Sequence, residues 1–254
     1  MNRVSVILIT LNEERNIVAC LESVKWADEI IIVDSHSIDR TRELAAAYTG
    51  NIFDMDWEGY SAAKNFALAR ANGDWVLWID ADERVTPELR QEIQQAIREK
   101  SEIAGYEIPR KAYFLGRWIK HCGWYPGYVL RLFKRGSAFF NASHVHEGLE
   151  LSGRRGRLRH PLLHYTDRDI DHYYTKFNRY TSLAIDDLMA RNKKFTRSDL
   201  IFRPLYAFFK MYILKQGFLD GMQGFLLCVF SANYVFTKYA KLWEREILAN
   251  EQNA

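Results

Sequence analysis

Cysteine is scarce in this chain of 254 residues: Cys20, Cys122 and Cys228 lie far apart and form no Cys-x-x-Cys pair. That spacing argues against a structural zinc and suits a reducing cytoplasm, with the thiols as ordinary buried side chains. Two phosphate-binding signatures are missing as well. Without Gly-x-Gly-x-x-Gly or Gly-Lys-Ser/Thr, neither a dinucleotide fingerprint nor a P-loop is supported. No unit repeats with a period of about 20–50 residues, which excludes a solenoid. The N-terminus lacks the basic–apolar–small order of a secretion signal, because the first apolar run, residues 4–11, is short and leads into acids. An uninterrupted apolar span of about 20 residues is also lacking. The richest part of the tail, residues 217–236, is broken by Asp220, Gln223, Asn233 and three glycines.

What is present is a large apolar share, 48% of residues, enough for one large α/β domain with appendages or for two small domains. The net charge of +3 conceals an asymmetry. Residues 110–160 hold eleven Lys/Arg against Glu147 and Glu150, a local +9, which leaves −6 for the remainder. A basic middle on an otherwise acidic chain points to an anionic partner: nucleic acid, phosphorylated sugar or anionic lipid.

Short apolar runs alternate with helical patterns along the first half. Residues 4–9, 29–33 and 51–55 read as strands. Residues 16–26, about 40–48 and 60–71 read as helices, the first with Ile17, Cys20, Leu21 and Val24 on one face. Trp75-Val76-Leu77-Trp78-Ile79 is a buried strand that runs straight into Asp80-Ala81-Asp82-Glu83. Strand–helix repetition with short connections predicts a mostly parallel sheet with crossover helices. The carboxyl ends of parallel strands share one edge, where ligands bind. Thr10-Leu11-Asn12-Glu13, Asp34-Ser35 and Asp80-Ala81-Asp82 should therefore converge. Alone, Asp-x-Asp would equally well end a strand and open a turn. At a shared edge, its carboxylates suit Mg²⁺ or Mn²⁺ together with substrate phosphates.

Thr86-Pro87 starts a further helix, with proline at an early position. Residues 105–110 and 129–133 read as strands, the second with Arg131 between apolar neighbours, and residues 113–140 are dense in aromatics and bases. Residues 169–192 are helical. The apolar, aromatic tail from about 201 to 247 carries Lys210, Lys215, Lys238 and Lys241. Its helices would lie on a membrane surface, or pack on the catalytic domain or a partner subunit.

Taken together, Thr10-Leu11-Asn12-Glu13, Val33-Asp34-Ser35, Lys64-Asn65 and Asp80-Ala81-Asp82-Glu83 resemble glycosyltransferase family 2 over about residues 1–110. Trp124-Tyr125-Pro126, Leu130-Arg131-Leu132-Phe133, Val145-His146-Glu147 and the stretch from Leu214 to Gly221 resemble its lipopolysaccharide inner-core β-1,4-glucosyltransferase branch. The resemblance implies an A-type, Rossmann-like fold over residues 1–165, with an acceptor side at about 110–165 and a helical, membrane-associating extension at 166–254. It implies an inverting, metal-dependent transfer of glucose from UDP-glucose to a heptose, on the cytoplasmic side of the bacterial inner membrane. The partners it implies are a UDP-sugar donor, an anionic glycolipid acceptor and the membrane surface, with no nucleic acid; the apolar tail is available for self-association.

Residue by residue, the resemblance places Thr10, Leu11, Asn12, Glu13, Asp34, Lys64, Asn65, Asp80, Ala81 and Asp82 on the nucleotide sugar. Asp82 is the metal ligand, with His146 completing the shell or orienting Glu147, and Glu147 is the general base. Glu83 competes for both roles, and His144 and His146 read equally as ordinary histidines. Two departures stand out. Leu11 cannot stack on uracil as an aromatic would, and the loop after Asp34 carries His36 and Arg40 where glycines are usual. For the acceptor the candidates are Trp124, Tyr125, Arg131, Arg154, Arg155 and Arg157. Arginine grips phosphate and carboxylate bidentately, although the 154–159 run also reads as a solvated face, and Trp118, Trp124 and Tyr125 as core. Within the family the alternative is a different donor or another lipid or polysaccharide acceptor; rivals from other classes are, first, a nucleic-acid-binding module on the 110–160 patch and, second, a nucleotidyltransferase or phosphatase on a similar sheet. The first leaves Asp-Ala-Asp and the acidic strand ends without a role.

Overall fold

The computed structural model describes residues 2–99, 101–141, 148–167 and 169–252. The chain divides into two compact units, Met1–Lys111 with Gly127–His164, and Ala112–Pro126 with Tyr165–Ala254. Residues 112–126 thus belong with the C-terminal helices.

The first unit opens with the alternation that the sequence implies: β1 (Val4–Thr10), α1 (Ile17–Val24), β2 (Glu29–Asp34), α2 (Thr41–Ala45), β3 (Ile52–Asp54), α3 (Tyr60–Leu68) and β4 (Trp75–Trp78). These four strands lie parallel in the order β3-β2-β1-β4. Their period of two is visible in what each side chain meets. Val4, Val6 and Leu8 of β1 and Ile30 and Ile32 of β2 pack with Ile17, Cys20, Leu21 and Val24 of α1. The intervening Ile7, Ile31 and Val33 pack with Ala63 and Ala67 of α3 on the other face. Near-continuous apolar strands are what a sheet covered on both faces requires.

After β4 come β5 (Glu83–Val85), α4 (Pro87–Ala96) and β6 (Ile103–Phe114). Thr86 caps α4, its hydroxyl accepting from the Leu89 amide at 3.1 Å. The remaining strands are β7 (Arg117–Trp118), β8 (Gly127–Lys134), β9 (Ala138–Phe140), β10 (Leu149–Leu151), β11 (Arg154–Arg157) and β12 (Leu162–Asp167). Beyond β4 the sheet departs from the parallel expectation. β8 pairs antiparallel with both β4 and β6, so the sheet is mixed, with helices on its flanks. β6 consequently runs in the same direction as β4. β11 adds to the outer side of β6, and His164 of β12 pairs with Glu83 of β5.

The second unit holds the ends of β6 and β12, joined by stacked Tyr113 and Tyr165 rings, together with α5 (Ile170–Ala190), α6 (Arg197–Phe209) and α7 (Gly221–Gln252). Its core gathers Phe114, Ile119, Cys122, Leu227, Cys228 and Phe230. All three cysteines are free and buried. Among the described residues no helix is long and apolar enough to cross a membrane.

Gly73, between α3 and β4, has a steric role. A Cβ there would lie 2.7 Å from the Ser5 amide nitrogen and 2.9 Å from the Arg3 carbonyl oxygen, both backbone atoms of the neighbouring strand. Gly73→Ala is expected to lower stability by about 1–3 kcal/mol in urea unfolding. Gly50→Ala, with nothing within 4 Å, should change it by no more than about 0.5 kcal/mol.

Candidate active site

Parallel pairing brings the ends of β1, β2 and β4 to one edge, with Thr10 opposite Asp34 and Ile7 opposite Trp78. The Thr10 hydroxyl donates to Asp34 at 2.8 Å, and the Ser37 amide and hydroxyl donate to the same carboxylate at 2.8 and 2.6 Å. Asp34 is fully buried, so its carboxylate shapes the loop that follows it. The loops after β1 and β2 are zipped together. The Asn12 amide donates to Ser37, the Ile38 amide to the Asn12 side chain, the Glu13 amide to Thr41 and the Glu14 amide to Asp39. Asn12 and His36 both take left-handed backbone conformations, φ 56° and 60°. Asparagine tolerates this conformation. Histidine takes it where glycine would be unstrained, and its ring is held by Asp56 at 2.8 Å. Leu11 is exposed at this edge.

Arg131 is the centre of the acidic end. It is 2% exposed, and its Nη2 donates to Asp80 and to Glu83, each at 2.7 Å. Its guanidinium lies 3.4 Å from the centre of the Trp78 ring. Glu83 is fully buried and also accepts from the Asp80 amide at 3.0 Å. The Asp-Ala-Asp turn is therefore clamped from below through its backbone and through Asp80. Burial raises the Glu83 carboxyl above its ordinary range against the pull of Arg131. Burial would raise Asp80 too, but Arg131 and Lys64 outweigh it and keep this carboxyl below its ordinary range. Arg131, an acceptor candidate by sequence, is buried instead, and its charge holds the acids.

Asp82 points elsewhere. His164, at the turn into the second unit, brings Nε2 to 3.4 Å from its carboxylate. Nothing in the sequence linked them, because antiparallel pairing of β12 with β5 makes the contact. The carboxylate oxygen suits Mg²⁺ or Mn²⁺ together with substrate phosphates, whereas the imidazole nitrogen is a softer donor that a hard cation such as Mg²⁺ takes less readily. Among the described residues no third acid, histidine or cysteine joins them. His146, His144 and Glu147 lie outside the described residues.

Two cations complete this edge. Lys64 lies 4.5 Å from the centre of the Trp78 ring and lowers Asp80 electrostatically. Arg110 opens the basic middle of the sequence. Tyr106 of β6 is level with Leu77 of β4 through Leu132. Four residues on, Arg110 stands about 13 Å further along, abreast of Asp-Ala-Asp. Among the described residues, no hydrogen bond or ion pair engages its guanidinium. Burial lowers its pKa, followed by repulsion from Arg131, and the Glu83, Asp80 and Asp82 carboxylates oppose that.

Asn65 and the arginines of β11 make their contacts elsewhere in the first unit. The Asn65 amide donates to the Phe140 carbonyl at 2.7 Å and accepts from the Phe140 amide at 2.9 Å, so it holds β9 rather than a nucleotide. Arg154 faces Glu102, while Arg155 and Arg157 face Glu107. They follow β11 from the level of Ile103 to that of Glu107, a partly neutralised edge. That edge weakens the case for nucleic acid. Trp124 and Tyr125 belong to the second unit. Trp124 packs on its core, and the Tyr125 ring meets Trp118 edge-on at 5.3 Å.

The model of the family described as Glycosyl transferase family 2 matches residues 5–149. A lipopolysaccharide core biosynthesis glycosyltransferase, LpsC of Rhizobium meliloti (strain 1021), is 33% identical over 98% of this chain and 95% of its own length. An uncharacterized glycosyltransferase of Rickettsia typhi (strain ATCC VR-144 / Wilmington) is 30% identical over 100% of this chain and 90% of its own. Among solved structures, S. aureus TarS 1-349 aligns with TM-score 0.45 at 15% identity, covering 97% of this chain and 92% of that one. A glucosyl-3-phosphoglycerate synthase from Mycobacterium tuberculosis, in complex with Mn²⁺, UDP and glucosyl-3-phosphoglycerate, aligns with TM-score 0.48 at 19% identity, covering 73% and 79%.

Removing Arg131 would strand two carboxylates. Arg131→Ala is expected to cost about 3–5 kcal/mol near neutral pH, measured by chemical unfolding. Arg131→Met combined with Glu83→Leu should recover much of that loss. The pH dependence has a definite sign. Without the guanidinium the fully buried Glu83 carboxyl keeps in the folded state a proton that the unfolded chain has already released. The deficit of Arg131→Ala should therefore shrink as pH falls toward the unfolded carboxylate values of about 4. An unchanged deficit between pH 8 and pH 5, where protonation of these groups begins to matter, would contradict it.

Proposed function

The chain belongs to glycosyltransferase family 2, and from that premise we propose that it transfers glucose from UDP-glucose to a heptose of a lipopolysaccharide inner core, inverting the anomeric carbon. The carrying observation is the division of labour at the strand edge: Asp80 is locked to buried Arg131, while Asp82 is turned toward His164. Support for the acceptor class comes from the lipopolysaccharide core glycosyltransferase to which the chain is similar along nearly its whole length.

In this proposal Asp82 and His164 hold Mg²⁺ or Mn²⁺. When bound, the cation would neutralise charge on the departing diphosphate. Asp80, kept ionised by Arg131 and Lys64, accepts hydrogen bonds from ribose or sugar hydroxyls. The zipped loops at Thr10, Asn12, Glu13 and Asp34 form the nucleotide side. Lys64 and Arg110 bring positive charge to the phosphates. Glu147 takes the proton from the acceptor hydroxyl as it attacks C1 on the face opposite the leaving group, which inverts the centre. The acceptor is membrane-borne, so the enzyme would work as a peripheral protein on the cytoplasmic face of the inner membrane.

The deciding experiment is a UDP-release screen of donor sugars with heptose-containing lipopolysaccharide core as acceptor. Acceptor-dependent UDP release from UDP-glucose is expected, and release without an acceptor requirement would point to a nucleotidyltransferase or phosphatase. Glu147→Gln should reduce turnover by about 10²–10⁴-fold while donor binding is retained. Asp82→Ala should abolish Mn²⁺-dependent UDP binding in calorimetry; unchanged affinity would remove Asp82 as a ligand.

A further inference from the structure

The second unit carries a surface that the transfer chemistry does not use. Along α6, Ile201, Phe202, Leu205, Tyr206 and Phe209 are all exposed, and Phe202 is 68% accessible. Their spacing of one, three, one and three residues draws a single stripe down one helix face. The chain then passes through a wide-turned helical segment, Lys210–Leu214, and a short tight turn, Gly217–Asp220, before α7 begins. Leu214 and Leu219 project from this tip. On α7, Met222, Phe225 and Val229 continue the exposed row at spacings of three and four. The two stripes are contiguous. Phe225 touches the Phe208 and Tyr212 rings, with centroids 6.2 and 5.8 Å apart, and is still 40% exposed. Scattered apolar side chains are normal on a protein surface, but a continuous band over two helices and their tip marks an interaction site.

The charge around the band identifies what covers it. Between residues 197 and 225 the only acids are Asp199 and Asp220, and both are buried. Asp199 is engaged by Arg203 and Lys193, and Asp220 by the backbone of Lys120 and His121. Beyond Arg203, whose charge Asp199 already meets, the charged side chains on the outside of this stretch are Arg197, Lys210 and Lys215. A second copy placed here by a two-fold axis would set these cations against themselves. A surface that is apolar just below and anionic just above matches both features.

We propose that the α6–α7 tip is a docking face for an anionic lipid bilayer, lying in the headgroup layer with its aromatic and aliphatic side chains in the acyl boundary. It deepens the assignment of a membrane-borne acceptor, but its test needs neither donor nor acceptor, so the two fail separately.

Full-length protein is sedimented with vesicles of phosphatidylglycerol and phosphatidylcholine, and with phosphatidylcholine alone. Binding to the anionic vesicles is expected, weakened by added salt. Combined Phe202→Ser, Leu205→Ser and Tyr206→Ser should lower partitioning by at least about tenfold. Lys210→Glu with Lys215→Glu should remove the preference for anionic lipid. These side chains are exposed, so far-ultraviolet circular dichroism and melting temperature should match the wild type. The proposal is overturned if the protein ignores both vesicle types, or if the triple variant binds as well as the wild type. It is equally overturned if the wild type is a dimer in solution that the triple variant dissociates, since a second copy would then cover the face.

Discussion

One guanidinium, out of water between two carboxylates and against an indole face, sets the geometry of the acidic strand end. Arg131 donates to Asp80 and Glu83 at 2.7 Å and lies over Trp78. A charge so buried is tolerated only when paired, and removal of either side leaves an uncompensated ion in a dry place. Asp80 and Asp82 are two residues apart, yet they serve different ends. Asp80 is tied inward and kept ionised. Asp82 is left to face His164.

The same economy of charge runs along the rest of the edge. Asp34 is fully buried and satisfied by Thr10 and Ser37, so it shapes the loop after β2. Lys64 and Arg110 are the cations that flank the acids. Departure of a diphosphate needs positive charge where the leaving group sits and a fixed carboxylate where the sugar sits. In the proposed reaction Lys64 of α3 and Arg110 of β6 would supply the first, and Asp80, fixed by its hydrogen bond to Arg131, the second.

Basic residues that look alike in sequence part company in the fold. Arg131 is a buried clamp, Arg110 stands abreast of the acids, and Arg154, Arg155 and Arg157 lie on an edge strand opposite Glu102 and Glu107. The local +9 of residues 110–160 is thus divided among a buried clamp, a cation near the acidic strand end and a surface edge. The cations of the α6–α7 tip form a separate group, flanking apolar side chains, and the two acids of that stretch, Asp199 and Asp220, are buried.

The order of elements as far as β4, the two-sided core of that sheet and the convergence of Thr10, Asp34 and Asp80–Asp82 were all legible in the chain itself. Period-two apolar runs, short connections and polar strand ends are local properties, and parallel pairing then forces the ends to one edge. The resemblance to glycosyltransferase family 2 rests on those same ends and is matched over residues 5–149. Tertiary structure decided the rest. The antiparallel insertion of β8 beside β4 turned Arg131 from an acceptor candidate into the partner of Asp80 and Glu83. The pairing of β12 with β5 brought His164 to Asp82 across 82 residues of chain. Asn65 proved to hold the backbone of Phe140, a contact 75 residues away. Such contacts depend on which strand lies beside which, and a local pattern of side chains encodes a strand's faces but not its neighbour.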